Sequence, residues 1–325
     1  VAELLALQDL RVRFRTMGLV RSWLEGNADP YIDAVIGAGF RVDEGETVGL
    51  VGESGSGKTT LARAVLGLVP VHSGSIRLRG RELVGLREAE YRRVRRHLGL
   101  MFQDPVASLS PRKTVRSLLL EPFRIHRVPL PEPESAVRRL LAMVGLHDGF
   151  LGAYPHQLSG GQARRVGVAR ALALSPDLII ADEPTAGLDV SVQGEVLNLM
   201  NELQQRLGLT YVIVTHNLPV IRHVSDRLVI MYLGRIVEEG ATADVFAGPA
   251  HPYTRALLTA VPQPDPDRRR ERLELEGEIP SLRQRPPGCE FHTRCPYVQP
   301  RCRSEAPASR LLGGGRRVSC HFPLG

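Results

Sequence analysis

Residues 4–14, LLALQDLRVRF, alternate apolar and polar side chains with the period of a half-buried strand. Residues 47–51 form a short apolar run ending at Gly52, and a helix is expected over 58–68. Ser73-Gly74 reads as a turn into a strand over 76–79, and residues 98–102 as another buried strand. Residues 114–150 carry an amphipathic helical pattern interrupted by prolines at 129–133. A fully apolar run at 178–181 predicts a buried strand. Val192, Val196, Leu199 and Leu203 then recur at helical spacing, as a core-facing stripe does. Residues 211–214 are again strand-like, and 228–232 with 236–238 predict a hairpin across Gly234. Strands alternating with helices predict an α/β fold with a mainly parallel sheet.

Two stretches break the alternation. Residues 15–33 form an insertion with the lone tryptophan, Trp23, expected as a surface loop. Residues 262–287 are rich in proline and charge, as linkers are, and all four cysteines lie beyond them. The 325 residues suffice for one large α/β domain and a smaller appendage. No apolar stretch reaches the roughly 18 residues of a membrane span, and no basic-then-apolar leader precedes the first strand. A cytoplasmic protein is therefore expected. The net charge of +7 could suit nucleic acid, but aromatics make up only 5% of the chain, too few for a stacking platform. Arginines spread over solvated faces account for the charge more simply. Lys58 and Lys113 are the only lysines.

Lys58 stands in Gly52-Glu-Ser-Gly-Ser-Gly57-Lys58-Thr59, which fits G-x-x-x-x-G-K-[ST]. Gly52, Gly55 and Gly57 let successive backbone N–H groups turn inward on phosphates, with Ser54 between them. Lys58 is expected on the β- and γ-phosphates, Thr59 on Mg²⁺ and Thr60 also on the nucleotide, in the first turn of the helix whose positive end faces the site. An apolar strand before and a helix behind separate this loop from a chance match. Downstream, Asp182-Glu183 ends the apolar run at 178–181. Asp182 would hold Mg²⁺, and Glu183 would orient or deprotonate the attacking water.

Leu158-Ser159-Gly160-Gly161-Gln162 decides what kind of nucleotide-binding protein this resembles. Ser159 and Gln162 have capping-box spacing for a helix running toward Leu174, and two glycines in its first turn expose amides to a phosphate. The segment lies about 20 residues before Asp182. Taken together, these residues resemble the ABC ATPase family and reproduce its signature motif. The resemblance implies a P-loop core with antiparallel β and helical subdomains. It further implies that Gln103 senses Mg²⁺ and the transmembrane partner, that Gly187-Leu188-Asp189 is the D-loop, and that His216 approaches the γ-phosphate. Phe14 is the candidate to stack on adenine, with Tyr31 competing. Arg164 stands where relatives often have Gln. The resemblance also implies two subunits paired head to tail, each ATP lying between one phosphate loop and the partner's Ser159-Gly160-Gly161.

His251-Pro252-Tyr253-Thr254-Arg255 begins a tail resembling that of the oligopeptide/dipeptide importer ATPases. The likeness extends through Ala260-Val261-Pro262 and residues 277–281, and upstream to Phe102-Gln-Asp-Pro105 with Ser108-Leu109. An ATPase domain over 1–245, with a helical subdomain at about 104–165, and a tail over 246–325 are expected. Cys289, Cys295, Cys302 and Cys320 are spaced C-x5-C-x6-C-x17-C. A [4Fe–4S] cluster accepts such irregular spacing, and Cys295-Pro296 is ferredoxin-like. Zn²⁺, with His292 or His321 in place of a thiolate, and plain thiols are the alternatives. Disulfides are disfavoured in a reducing cytosol. In the importer family this pattern implies an iron–sulfur cluster.

The expected protein is the ATP-hydrolysing subunit of an importer of peptides or similar small solutes. It would lie peripherally on the cytoplasmic face of the inner membrane. Implied partners are a second ATPase subunit (a different chain by family habit), two transmembrane permeases, and through them an extracytoplasmic solute-binding protein. No nucleic acid is expected. The alternative is a soluble ABC ATPase acting on nucleic acid or ribosomes, which would need longer insertions than residues 103–158 supply. An exporter subunit would leave the tail unexplained.

Overall fold

The computed structural model describes residues 2–15, 30–104, 107–260 and 277–324. Trp23, Pro105, Val261-Pro262 and the first part of the expected linker lie outside the described residues. Within them the chain divides into two compact units.

The first unit comprises Val1–Leu4, Val42–Thr47 and Gly85–Val214. Its centre is a set of parallel strands, Leu98–Met101, Leu178–Asp182 and Thr210–Thr215, paired Leu98 to Leu178 and Leu178 to Thr210. Leu178 through Ala181 are buried, as expected of a strand covered on both faces. Helices Val115–His126 and Pro133–Met143 carry the amphipathic stretch; the prolines at 129–133 fall between them or at the first helical position, where the missing N–H costs nothing, while Pro122 lies inside the first helix. Helix Gly160–Leu172 packs against both, against the strand Leu98–Met101 and against helix Val190–Leu207. Contacted on all sides, it buries Ala163, Arg164, Val166, Val168, Ala169 and Leu172 and has no single apolar stripe. Val196, Leu199 and Leu203 are buried as their spacing predicted, while Val192 is half-buried.

The second unit comprises Leu5–Arg41, Val48–Val84 and Thr215–Gly325. Strand Glu3–Arg15 pairs antiparallel with Tyr31–Ala38 on one side and Ser73–Leu78 on the other. The end of the expected surface insertion is therefore strand from Tyr31 onward. Ser73 and Gly74 already belong to a strand, beside a register shift opposite Gln8–Arg11. Strand Thr47–Val51 runs parallel to Arg227–Tyr232, which turns through Leu233-Gly234 into Arg235–Ala241. The hairpin thus forms where the apolar pattern put it. Beyond it the tail adds Arg317–Val318 to the edge of Arg235–Ala241, and Arg310–Leu311 outside that. These two-residue strands carry no periodic signal, so the sequence pattern could not announce them.

Candidate functional site

In the second unit, Thr47–Val51 is buried at every position and delivers the chain to Gly52. A Cβ at Gly52 would lie 2.2 Å from the carbonyl oxygen of Met231, so only glycine fits. Gly57 has φ +97°, and a Cβ there would lie 2.5 Å from the Ala34 carbonyl oxygen. The loop closes with Ser56 N–H donating to Glu53 O at 3.2 Å, and helix Lys58–Val65 follows, shorter than the periodicity suggested. The Lys58 ammonium is buried against the loop itself. It donates to Gly52 O at 2.7 Å, Glu53 O at 2.8 Å and Ser56 Oγ at 3.3 Å. Three backbone and hydroxyl oxygens thus hold a point charge in a pre-formed nest, the chemistry required to meet a phosphate.

The same unit carries Phe14 and Tyr31 at the connected end of the first antiparallel pair, where Arg15 pairs with Tyr31 and Phe14 with Ile32. Both rings are exposed, and the Arg13 guanidinium lies 5.7 Å from the Tyr31 ring centre. His216 is exposed just past strand Thr210–Thr215, before Asn217 caps helix Leu218–Val224.

The first unit carries Gln103, Ser159–Gln162, Asp182 and Glu183. Asp182 ends the buried strand, and Glu183 turns the chain with φ +49° while donating its N–H to Val214 O at 2.8 Å. A left-handed glutamate costs on the order of 1 kcal/mol, and such strain is characteristic of functional positions. Asp189 caps helix Val190–Leu207 by accepting from Val192 N–H at 2.9 Å. Ser159 and Gln162 form the expected capping box, at 2.9 and 3.2 Å. Ser159 and Gly160 are exposed, so the amides of the first turn face solvent. At Gly161 a Cβ would lie 3.0 Å from Val192 Cγ1, so this glycine also serves packing within its own chain.

Arg164, from which the sequence drew nothing, is buried at the centre of this arrangement. Its guanidinium donates to Phe102 O at 2.9 Å, Gln103 O at 3.0 Å and Ala186 O at 3.0 Å. One side chain of the signature helix thereby ties the segment of Gln103 to the segment after Glu183. No local pattern could have flagged it.

Thr59 in the second unit, and Gln103 and Asp182 in the first, each offer oxygen donors, the kind a hard cation such as Mg²⁺ takes. The four cysteines line one cavity of the second unit together with Phe291 and His292. Cys289 N–H donates to Cys302 O at 2.8 Å, lacing two of the cysteine segments together. Burial pushes the Cys289 and Cys295 thiols up to about 11 and raises that of Cys320. Among the described residues no three His, Cys, Asp or Glu side chains converge as a metal-ion site. The iron–sulfur expectation therefore finds no support in a ready ligand group, and neither does zinc.

Comparison with known proteins agrees with the geometry. The model of the ABC transporter family matches residues 36–186, and that of the oligopeptide/dipeptide transporter C-terminal region matches 237–302. The chain is 45% identical over 323 residues to the oligopeptide transport ATP-binding protein AppF of Bacillus subtilis, covering 98% of this chain and 97% of that one. It is 44% identical to the oligopeptide transport ATP-binding protein OppF of Escherichia coli, over 98% and 95% of the two chains. Among solved structures it resembles the dimeric post-hydrolysis state of the ATP-binding cassette MJ0796 bound to ADP and Pi. The TM-score is 0.64 at 28% identity, covering 73% of this chain and 98% of the other. It also resembles cbiO1 of Clostridium perfringens, part of the cbiONQ transporter complex, at TM-score 0.64 and 27% identity over 76% and 92%. Among the described residues no helix is long and apolar enough to cross a membrane.

Proposed function

Because the chain belongs to the ABC transporter family, we propose that it is the ATP-hydrolysing subunit of a membrane importer of peptides or similar small solutes. The observation that carries this reading is the exposed, capped N-terminus of the signature helix at Ser159-Gly160, in a chain that also holds a closed phosphate loop. Amides presented to solvent in that way are suited to the phosphates of a nucleotide held by another subunit.

The division of labour follows from the side chains. Lys58 and the loop amides bind the β- and γ-phosphates, and Thr59, Gln103 and Asp182 would hold Mg²⁺. Bound Mg²⁺ would supply charge neutralisation on the transferring phosphoryl group. Glu183 accepts a proton from, or orients, the attacking water, and His216 donates toward the γ-phosphate. Phe14 stacks on adenine, with Tyr31 as its rival. Ser159, Gly160, Gly161 and Gln162 complete the site of the partner subunit. In this reading ATP joins two ATPase subunits head to tail, and hydrolysis parts them. Two permeases receive that motion on the cytoplasmic face of the inner membrane, with a solute-binding protein beyond. The second ATPase is a different chain. The ATPase domain would cover residues 1–245, with a tail over 246–325.

The tail's cysteines would hold a [4Fe–4S] cluster, with Zn²⁺ as the alternative. All four cysteines line one cavity, and a cluster, which takes one thiolate per iron, accepts their irregular spacing. The cluster would brace the tail.

Glu183→Gln tests the hydrolytic assignment. The variant is expected to bind ATP and pair but to turn over at least a hundredfold more slowly, measured as phosphate release by the purified complex. Normal turnover would remove Glu183 from its role.

A further inference from the structure

The phosphate loop is not held by its own strand and helix alone. Glu53, the second residue of the loop, is gripped by the tail at two points. Its backbone N–H donates to the buried Tyr253 hydroxyl at 2.8 Å. Its carboxylate receives both guanidinium nitrogens of Arg294, at 2.8 and 3.1 Å. Arg294 is buried and Glu53 mostly so, which makes this a bidentate, charge-assisted pair and not a surface ion pair. The carbonyl of the same Glu53 accepts from Lys58 Nζ at 2.8 Å. Arg294 and Tyr253 therefore fix the peptide planes on which the phosphate-binding ammonium rests.

A second connection reaches the far side of the loop. Gly234 N–H donates to Ser56 O at 2.9 Å. The preceding carbonyl, Leu233 O, accepts from Arg285 at 2.6 Å, and Arg285 also pairs with Glu290 at 2.9 Å. Arg285 further donates to Asp33 O in the first hairpin. Phe291 packs between these two grips, with its ring centre 5.2 Å from that of Tyr232 and 5.5 Å from that of Tyr253. The segment bearing Cys289 and Cys295 is thus continuous, through Glu290, Phe291 and Arg294, with both sides of the loop.

We propose that Arg294 and Tyr253 are positioning residues for ATP: the tail acts as a clamp that sets the shape of the phosphate loop through Glu53. The inference rests on the reading of the loop as the ATP site. A tail that merely completed the fold would need no contact with the loop backbone. Here the contacts go to the N–H and the carboxylate of one loop residue whose carbonyl holds Lys58. Relaxing them frees Glu53 to swing, so the loop must be re-ordered when ATP binds, and affinity falls more than turnover of the bound nucleotide.

The test compares Arg294→Gln, Glu53→Gln, their double variant and Tyr253→Phe in the full chain. MgATP affinity is measured by displacement of a fluorescent ATP analogue, alongside KM and kcat of the assembled transporter and the unfolding midpoint. Arg294→Gln and Glu53→Gln are each expected to weaken MgATP about five- to tenfold, the double variant no further than either, and Tyr253→Phe about twofold. KM should rise by more than kcat falls. Exchanging the charges, Glu53→Arg with Arg294→Glu, should recover part of the affinity. An unfolding midpoint lowered with MgATP affinity intact would overturn the clamp, as would strictly additive losses. Should Arg294→Gln fail to fold, Glu53→Gln decides alone, because it keeps the size of the side chain and leaves the tail residues in place. A wild-type chain that does not bind MgATP overturns the functional reading and the clamp with it. A wild-type chain that binds normally, with variants that match it, overturns the clamp alone.

Discussion

Arg164 donates to the carbonyl oxygen of Gln103 at 3.0 Å from inside the signature helix, and with the same nitrogen to Ala186 O, also at 3.0 Å. Gln103 and the segment following Glu183 therefore share one buried cation. A movement of the signature helix cannot leave the other two segments unchanged. Burial pulls the guanidinium below its ordinary pKa, but an arginine remains charged at any physiological pH.

Arg164→Met keeps the volume and strands three carbonyls. It should cost about 2 kcal/mol of stability and lower ATP turnover about tenfold, read by thermal unfolding and phosphate release. Arg164→Lys, which can reach one or two of the three acceptors, should fall between. Equal turnover in Met and wild type would show that the shared cation has no catalytic consequence.

The loop glycines predict a graded series. Gly52→Ala places a Cβ 2.2 Å from Met231 O, and Gly57→Ala one 2.5 Å from Ala34 O at φ +97°. Both should abolish measurable ATP binding. At Gly55 nothing lies within 4 Å, although φ is +79°. Gly55→Ala should therefore lose only about 1 kcal/mol, the left-handed penalty, with binding weakened about fivefold. Nucleotide titration of the three variants orders them.

His251 is fully buried, and burial lowers its pKa to about 3 from an ordinary 6.5. Its Nδ1 accepts from Tyr253 N–H at 3.0 Å, as the cap of helix Pro252–Thr259. The folded form thus binds fewer protons than the unfolded one between these values. The stability from a neutral His251 is complete above about pH 6.5 and is lost progressively as pH falls toward about 3. His251→Asn keeps a capping oxygen and removes the titration. Its unfolding midpoint should decline less steeply over that window, measured by calorimetry.

The cysteines give a spectroscopic prediction. An anaerobic preparation should be brown, with sulfur-to-iron absorption bands and about four irons per chain. Cys295→Ala should remove the colour and lower the unfolding midpoint. A colourless chain with one equivalent of zinc would replace the cluster with a single-ion site.

What the sequence made legible was local chemistry. The phosphate loop, the capping box of Ser159 and Gln162, and the hairpin across Gly234 each place their determining residues within a few positions, and the structure forms all three. Helices Leu218–Val224 and Thr242–Ala247 escaped notice because they are too short for a periodic signal. Arg164 could not be interpreted because its acceptors lie 22 to 62 residues away. Glu53 filled an unconstrained position in its motif, and its partners Tyr253 and Arg294 stand 200 and 241 residues distant. Only tertiary packing joins them.

ATP bound at Lys58 is expected to power solute import. The most direct test is uptake of a labelled peptide mixture by vesicles holding the chain with its permeases, partner ATPase and binding protein. Uptake should require ATP and fall to background with Lys58→Ala, while assembly is unchanged. Uptake that persists in Lys58→Ala would contradict it, as would ATP hydrolysis by the assembled complex without uptake of any peptide or similar small solute.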